Sequence, residues 1–252
     1  MDFKAVKYND LCQFLEWDSK FFNLRIAQVN LSKIDNNLTQ RILRWCNTNK
    51  IDCLYFLCDM DDEISIQVVE SNKFHLTDIR TTLRYLSKII QEEVNHDQEI
   101  TIRLCKHVDI PDLRAIAKEN HTGTRFYSDK NFSKSNCDEL YETWIEQSCN
   151  GYADAVFVAI IGNQPVGYIT CHMVEEYKGK IGLLGVKKEW RNNSIGSSLL
   201  CSAKRWFLMK DISQIDVVTQ GNNYPAQRFY SKHGFFVERV QLWYHLWFCH
   251  NK

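Results

Sequence analysis

The chain has 252 residues, 44% of them hydrophobic, with 31 Lys plus Arg against 31 Asp plus Glu. That length accommodates one large or two small domains with a real core, and the balanced charge excludes a global field recruiting nucleic acid or an anionic membrane. The ten cysteines are scattered without Cys-x-x-Cys spacing and MDFKAVKYND lacks a signal-peptide core, while no apolar run approaches the roughly 20 residues that span a bilayer. The expectation is a cytoplasmic protein with buried free thiols, no metal, and neither nucleic acid nor membrane as partner.

Residues 1–95 contain no glycine. They carry LEWDSKFFNLRIAQVNL, a helix candidate over Thr39–Asn47, the run IDCLYFLCD, a helix candidate over Glu63–Ser71 and a strand-like segment over Thr77–Leu86. Helix and strand alternate. The close of this half, VVESNKFHLTDIRTTLRYL, has the layout of FYSKHGFFVERVQLWYHLW near the C-terminus: helix end, short turn, phenylalanine, strand. A degenerate internal repeat fits both. The polar segment Gln91–Glu99 is the best boundary candidate, dividing an N-terminal α/β domain, 1–95, from a C-terminal domain, 96–252.

After the boundary, ITIRLCK alternates as a strand, Asp109-x-Pro111 opens a helix ending near Asn120, and DELYETWIEQS reads as a second helix. Between them HTGTRFYSDKNFSK, residues 121–134, is polar, aromatic and basic, and by itself reads as an ordinary surface loop. Ala155–Ile161 and Val166–Met173 are strands joined by a Gly162-Asn163-Gln164 turn. Next come an apolar strand over Ile181–Val186, a polar turn over Lys187–Asn193 and apolar residues at helical spacing in Ile195, Leu199, Ala203 and Trp206. A second strand, Ile215–Thr219, leads through the cap candidate Asn223 and Pro225 into a helix stopped by Gly234.

Backbone N–H groups converging on the turn before Ile195, where a helix dipole is positive, make a phosphate site. A Walker loop would need Lys-Ser or Lys-Thr closing a glycine-rich run, and a dinucleotide fingerprint two glycines before the helix; neither is present. What stands is Arg191-x-x-Ser194-x-Gly196, which resembles motif A of the GNAT family of acyl-CoA-dependent N-acyltransferases, with Ser194 in place of the first glycine. A serine there is expected to keep helical geometry and donate its own N–H, at the cost of a side chain near the phosphate. Downstream, Asn223, Ala226, Tyr230, Gly234 and Phe235 resemble the motif B helix of the same family.

The resemblance implies an α/β GNAT fold, a mixed central sheet flanked by helices, over residues 100–252, preceded by the N-terminal α/β domain on the acceptor side. It implies that acetyl-CoA is the co-substrate, held by Leu184, Gly185, Val186, Arg191, Asn192, Asn193, Ser194, Ile195, Gly196, Ser197 and Asn223. It makes Tyr230 the acid for the departing thiolate. Tyr230 at pKa near 10 opposes full transfer to a thiolate near 8.5 by roughly 2 kcal/mol, so hydrogen bonding carries more of the effect.

WDSKFF (17–22), TRFYSD (124–129), LYETWIEQS (140–148) and QLWYHLW (241–247) are further similar to the two-domain TDP-fucosamine acetyltransferases. These acetylate the 4-amino group of a TDP-4-amino-4,6-dideoxy sugar. That resemblance implies an amino-sugar nucleotide bound between the halves, with Arg125 and Lys20 as candidates for its diphosphate; a homodimer is left open. Trp17, Phe21 and Phe22 read as core ahead of a thymine platform. An unperturbed lysine amine would cost roughly 4 to 5 kcal/mol to deprotonate at pH 7, an amine near pKa 8 only about 1 to 1.5. No residue stands out as general base: His172 and Glu175, near a strand end, read first as solvated or structural. Two rivals remain, a GNAT enzyme for another amine (peptide N-terminus, polyamine or antibiotic) and a non-catalytic acyl-CoA-binding protein.

Overall fold

The computed structural model describes residues 11–87 and 100–249, so the boundary expected at Gln91–Glu99 lies outside the described residues. The first half runs β1 (Cys12–Phe14), α1 (Glu16–Phe22), β2 (Ile26–Val29), α2 (Asn36–Thr48), β3 (Cys53–Asp59), α3 (Glu63–Ser71) and β4 (His75–Leu86). The second runs β5 (Ile100–Leu104), α4 (Ile110–Asn120), α5 (Arg125–Ser128), α6 (Lys134–Gln147), β6 (Ala155–Ile161), β7 (Gln164–Glu175), β8 (Lys178–Val186), α7 (Ile195–Met209), β9 (Gln214–Gln220), α8 (Tyr224–Lys232) and β10 (Phe236–Trp247).

Capping explains several starts. Asp35 accepts the Leu38 N–H at 2.7 Å and opens α2, Ser133 accepts that of Asn136 at 3.2 Å and opens α6, and Asn223 accepts that of Ala226 at 3.2 Å and opens α8. β3 is buried on both faces because it is interior: Tyr55 joins one core cluster, while Leu54, Phe56 and Cys58 join the cluster under α2.

The ten strands of the described residues form one sheet in the order β1-β2-β3-β10-β4-β9-β8-β7-β6-β5. The two halves interleave in it. β10 pairs antiparallel with β3 on one side and β4 on the other, and β4 pairs antiparallel with β9. The unit β1-β2-α2-β3-α3-β4 also has the same pairing pattern as β7-β8-α7-β9-α8-β10: an antiparallel pair, then a parallel pair. Each unit's last strand sits next to its own third strand's neighbour, displaced by the strand of the other.

Residues 121–134 are not the surface loop that their composition suggests. They include α5, and Phe126 and Phe132 are 2% and 6% exposed. Phe22 of α1 lies 5.4 Å from the Phe126 ring and 4.6 Å from that of Phe132. The two phenylalanines anchor an otherwise polar stretch, so the apolar burial of two residues decides the path of fourteen.

Candidate active site

The site begins where two strands part. β8 pairs with β9 only from Lys178↔Gln214 to Ile181↔Val217, whereas β9 continues along β4 to Gln220↔Arg80. Beyond Ile181 the β9-facing edge of β8 is therefore unpaired. On its other edge the register passes from Ile169↔Leu184 to Cys171↔Ile181, two residues of β7 against three of β8, a bulge at Gly182–Leu183. The Leu183 N–H donates to Thr170 Oγ1 at 2.8 Å and the Lys187 N–H to the Val166 carbonyl at 2.8 Å, both toward β7. Alternation along the strand then turns the N–H groups of Leu184 and Val186 into the gap and that of Gly185 away from it.

Leu184 and Val186 accordingly line a cleft of about 500 Å³ and Gly185 does not. A Cβ on Gly185 would stand 2.9 Å from the Tyr168 ring, so the glycine serves packing against that tyrosine.

The N-terminus of α7 closes the cleft, which Arg191, Asn192, Ser194, Ile195, Gly196 and Ser197 line. Asn192 and Ser194 both have positive φ, +65° and +56°. Ser194 is thus left-handed rather than helical, a correction to the expectation that it keeps helical geometry: the chain reverses there before α7, which is why a glycine suits the position. Ser194 does not cap through its side chain; its carbonyl accepts the Ser198 N–H at 3.0 Å. The first-turn N–H groups of Ile195, Gly196 and Ser197 precede the first intrahelical bond and face the cleft with the positive end of the dipole. Arg191 is held in place, donating from Nη2 to Asn120 Oδ1 at 3.0 Å and from Nε to the Val186 carbonyl at 3.4 Å.

Tyr230 lines the same cleft, 5% exposed, and burial pushes its pKa well up, keeping it protonated. Asn223 caps α8, and the residues of that turn that reach the cleft are Pro225 and Ala226. Asn193 is exposed, with its side-chain amide 3.4 Å from the Arg191 carbonyl. Motif reading missed Asn120, Trp190, Phe229, Lys232 and His233, which also line the cleft. A cation in the last turn of α8 was the available signal for Lys232. His233 is fixed by Ser197 Oγ, 2.9 Å from its Nε2.

On the opposite face of the sheet, Arg125 is stacked rather than solvated. Its guanidinium carbon lies 4.1 Å from the Tyr55 ring centroid and 4.3 Å from those of Phe126 and Trp243. Its Nη1 is 3.0 Å from His245 Nε2, and His245 Nδ1 is 2.7 Å from Asp129 Oδ2, which also accepts the Trp247 indole N–H at 2.8 Å. A guanidinium only donates, so Nε2 accepts and the proton sits on Nδ1. Burial pulls the His245 pKa to about 4, aided by Arg125 and opposed by Asp129. Burial would raise Asp129, but hydrogen bonds from His245, Trp247 and Asn131 outweigh it and hold the carboxyl at about 2.

Arg80 adds a second cation on this face, donating to Gln241 Oε1 at 2.9 Å. Gln241 and Trp243 are two apart on β10, so their side chains share a face at a spacing of roughly 7 Å. Lys20, by contrast, is exposed on α1, two residues and so about 200° around the helix from Asp18, the α1 carboxylate that senses Arg125. The structure does not bring Lys20 and Arg125 together. Phe22 is core, but Trp17 is 37% exposed and stacked on Phe21 at 5.1 Å and 11°, so the core expectation fails for Trp17. Glu175 points outward and pairs with Lys178 at 3.8 Å.

Comparison with known proteins places the fold. The model of the Acetyltransferase (GNAT) family matches residues 112–235. The spore coat polysaccharide biosynthesis protein SpsD of Bacillus subtilis is 24% identical over 132 residues, 52% of this chain and 45% of that protein. The dTDP-fucosamine acetyltransferase of Escherichia coli O6:H1 is 24% identical over 152 residues, 60% of this chain and 65% of that protein. The matches thus span about half to two-thirds of these relatives. A GCN5-related N-acetyltransferase structure from Sphaerobacter thermophilus superposes with a TM-score of 0.66 at 12% identity, covering 94% of this chain and 76% of that one, a likeness of fold.

Proposed function

Residues 112–235 are an acetyltransferase domain of the GNAT family, and from that premise we propose that the chain moves an acetyl group from acetyl-CoA to the 4-amino group of a TDP-4-amino-4,6-dideoxy sugar. The observation that carries the transfer is the gap between β8 and β9, ending on the free N-terminus of α7. An unpaired strand edge accepts the amides of a pantetheine arm as it would another strand, and the α7 turn takes the pyrophosphate. The Leu184 N–H, turned into the gap, is aimed where a thioester oxygen gains charge. Tyr230 donates a hydrogen bond to the departing sulfur.

The acceptor's identity is supported by the names of the relatives and by the opposite face of the sheet. Arg125, kept rigid by the Asp129–His245 pair, and Arg80 beside it offer two planar cations to a diphosphate. The Trp17–Phe21 stack presents an exposed ring to a base. Lys20, exposed and apart from Arg125, stands outside this set.

The test combines calorimetry with acetyl-CoA and turnover of TDP-4-amino-4,6-dideoxygalactose, followed by release of free thiol and by product mass. Gly196→Val decides the loop. A Cβ at Gly196 would lie 3.4 Å from the Phe229 ring, an ordinary contact, so the fold accepts a side chain there while the phosphate does not. Affinity is expected to drop at least tenfold with melting unchanged. Unaltered affinity removes the loop from the coenzyme site, and failure to acetylate the sugar nucleotide while acetylating another amine removes the acceptor.

A further inference from the structure

Resting on the acetyltransferase reading, we propose that His172 is the general base, taking the proton that the attacking amine sheds. Tyr168, Thr170 and His172 alternate onto one face of β7, while Ile169 and Cys171 turn to the cluster under α7. His172 stands on the bulge of β8. A Cβ on Gly182 would fall 2.6 Å from His172 Nε2 and 2.7 Å from Thr170 Oγ1, so the side chain that Gly182 lacks is the room the imidazole occupies. Nε2 is 3.4 Å from Thr170 Oγ1, whose oxygen already accepts the Leu183 N–H. One side chain thus meets both the bulge and the ring.

The ring is at the apex of the gap. Gly182 is the first residue of β8 past its last pairing with β9, and Leu184, whose N–H enters the gap, is two residues further, roughly 7 Å along the strand. A base standing against Gly182 meets an amine at that N–H through a short chain of waters. α7 covers the other face here: Gly179 abuts Phe207, and Ile181 belongs to the α7 cluster. An amine must arrive on the face where His172 stands.

The carboxylates nearby are committed elsewhere. Glu175 pairs with Lys178, Asp216 with Arg84 and Lys178, and Asp154 accepts the Met173 N–H at 2.7 Å. The groups facing the imidazole are Lys180 on β8, Asp154 and Tyr152 ahead of β6, and Thr170 on its own strand. Burial lowers the His172 pKa and Lys180 lowers it further, against Asp154 and the Tyr152 backbone, so the ring is neutral and ready to accept at neutral pH.

In the step itself, the amine nitrogen forms a bond to the thioester carbon and the carbon–sulfur bond breaks with its pair on sulfur. One N–H proton goes to Nε2 through water. The thiolate leaves on a hydrogen bond from Tyr230 and takes its proton from solvent, to which the imidazolium returns its own.

The experiment compares wild type with His172→Gln, using acetyl-CoA and TDP-4-amino-4,6-dideoxygalactose at saturation, and titrates the wild-type imidazole by nitrogen NMR. The variant is expected to lose about 10²-fold or more in kcat, to lose the acid limb of the kcat profile below pH 7, and to bind acetyl-CoA within about twofold of wild type. A kcat within about threefold overturns the role. An acid limb in wild type that fails to coincide with the His172 titration overturns it too, even where the variant does not fold. If wild type binds acetyl-CoA and acetylates no amine, the acetyltransferase reading falls and this inference with it; an active wild type matched by an equally active variant removes the base alone.

Discussion

Tyr230→Phe removes one hydroxyl and almost no volume from a residue wedged 5.2 Å from Phe229 and 5.3 Å from Phe235, so the packing should survive. The expected loss in kcat is roughly 10² to 10⁴, with acetyl-CoA affinity changed far less, because the hydroxyl meets charge that appears as the thiolate leaves. A lowered melting temperature with near-normal kcat would make it a packing tyrosine. A second residue-scale outcome concerns acid. The folded His245 titrates at about 4 against an ordinary 6.5, so between those values the unfolded chain binds the extra proton. Stability must then fall as pH drops from 6.5 toward 4, by a contribution on the order of 3 kcal/mol. The Asp129 contribution is present above its ordinary 3.8 and is lost only as pH falls toward about 2. Melting curves of wild type and His245→Gln across pH 4 to 7 check this: the variant should show the shallower slope. That Tyr230, Arg191 and Gly196 come to line one cleft was legible because each belongs to a motif of local spacing. The Arg125–His245 contact spans 120 residues, and no local pattern announces it.

At the scale of elements, the turn into α7 carries a cost that can be removed. Ser194 at φ +56° is held where an L-residue is disfavoured by roughly 1–2 kcal/mol, against some entropic loss when glycine frees the unfolded chain. Ser194→Gly should therefore stabilise by about 0.5 to 1 kcal/mol, a rise of a few degrees in Tm by calorimetry. An unchanged or lower Tm would mean that the Ser198 Oγ bond to the Ser194 carbonyl, 2.9 Å, already settles the turn whatever side chain stands there. Elements bounded by caps and turns were readable from sequence to the residue, as for α3 and β6. α6 begins at Lys134, before the expected Asp138, because the Ser133 cap sits in a stretch whose polar composition hides it. β8 begins at Lys178 and β4 at His75, earlier than their apolar runs, since pairing with a neighbour extends a strand through polar residues.

For the whole molecule, the decisive fact is that β10 lies between β3 and β4. A fragment beginning at residue 100 would carry β10 with neither of its partners and β9 without β4. Such a fragment should be insoluble or unfolded alone, and soluble when co-expressed with residues 1–99; a monodisperse, cooperatively melting fragment would show that the interleaved strands are dispensable. Interleaving was beyond the reach of sequence reading: the likeness between the segments after Phe74 and Phe235 pointed to two similar halves, but strand periodicity says nothing about which neighbour a strand chooses.

The same arrangement imposes an order in time. β3 and β4 both run antiparallel to β10 and hence parallel to each other, separated by the width of one strand. On the ribosome they emerge long before the segment that separates them, by on the order of ten to thirty seconds at ordinary elongation rates. Throughout that interval two strand edges stand with their backbone N–H and C=O groups unpaired, and the nearest pairing open to them is a direct one that must be undone before Phe236–Trp247 can enter. Synthesis thus leaves the nascent chain with an unfilled slot until Phe236–Trp247 is made.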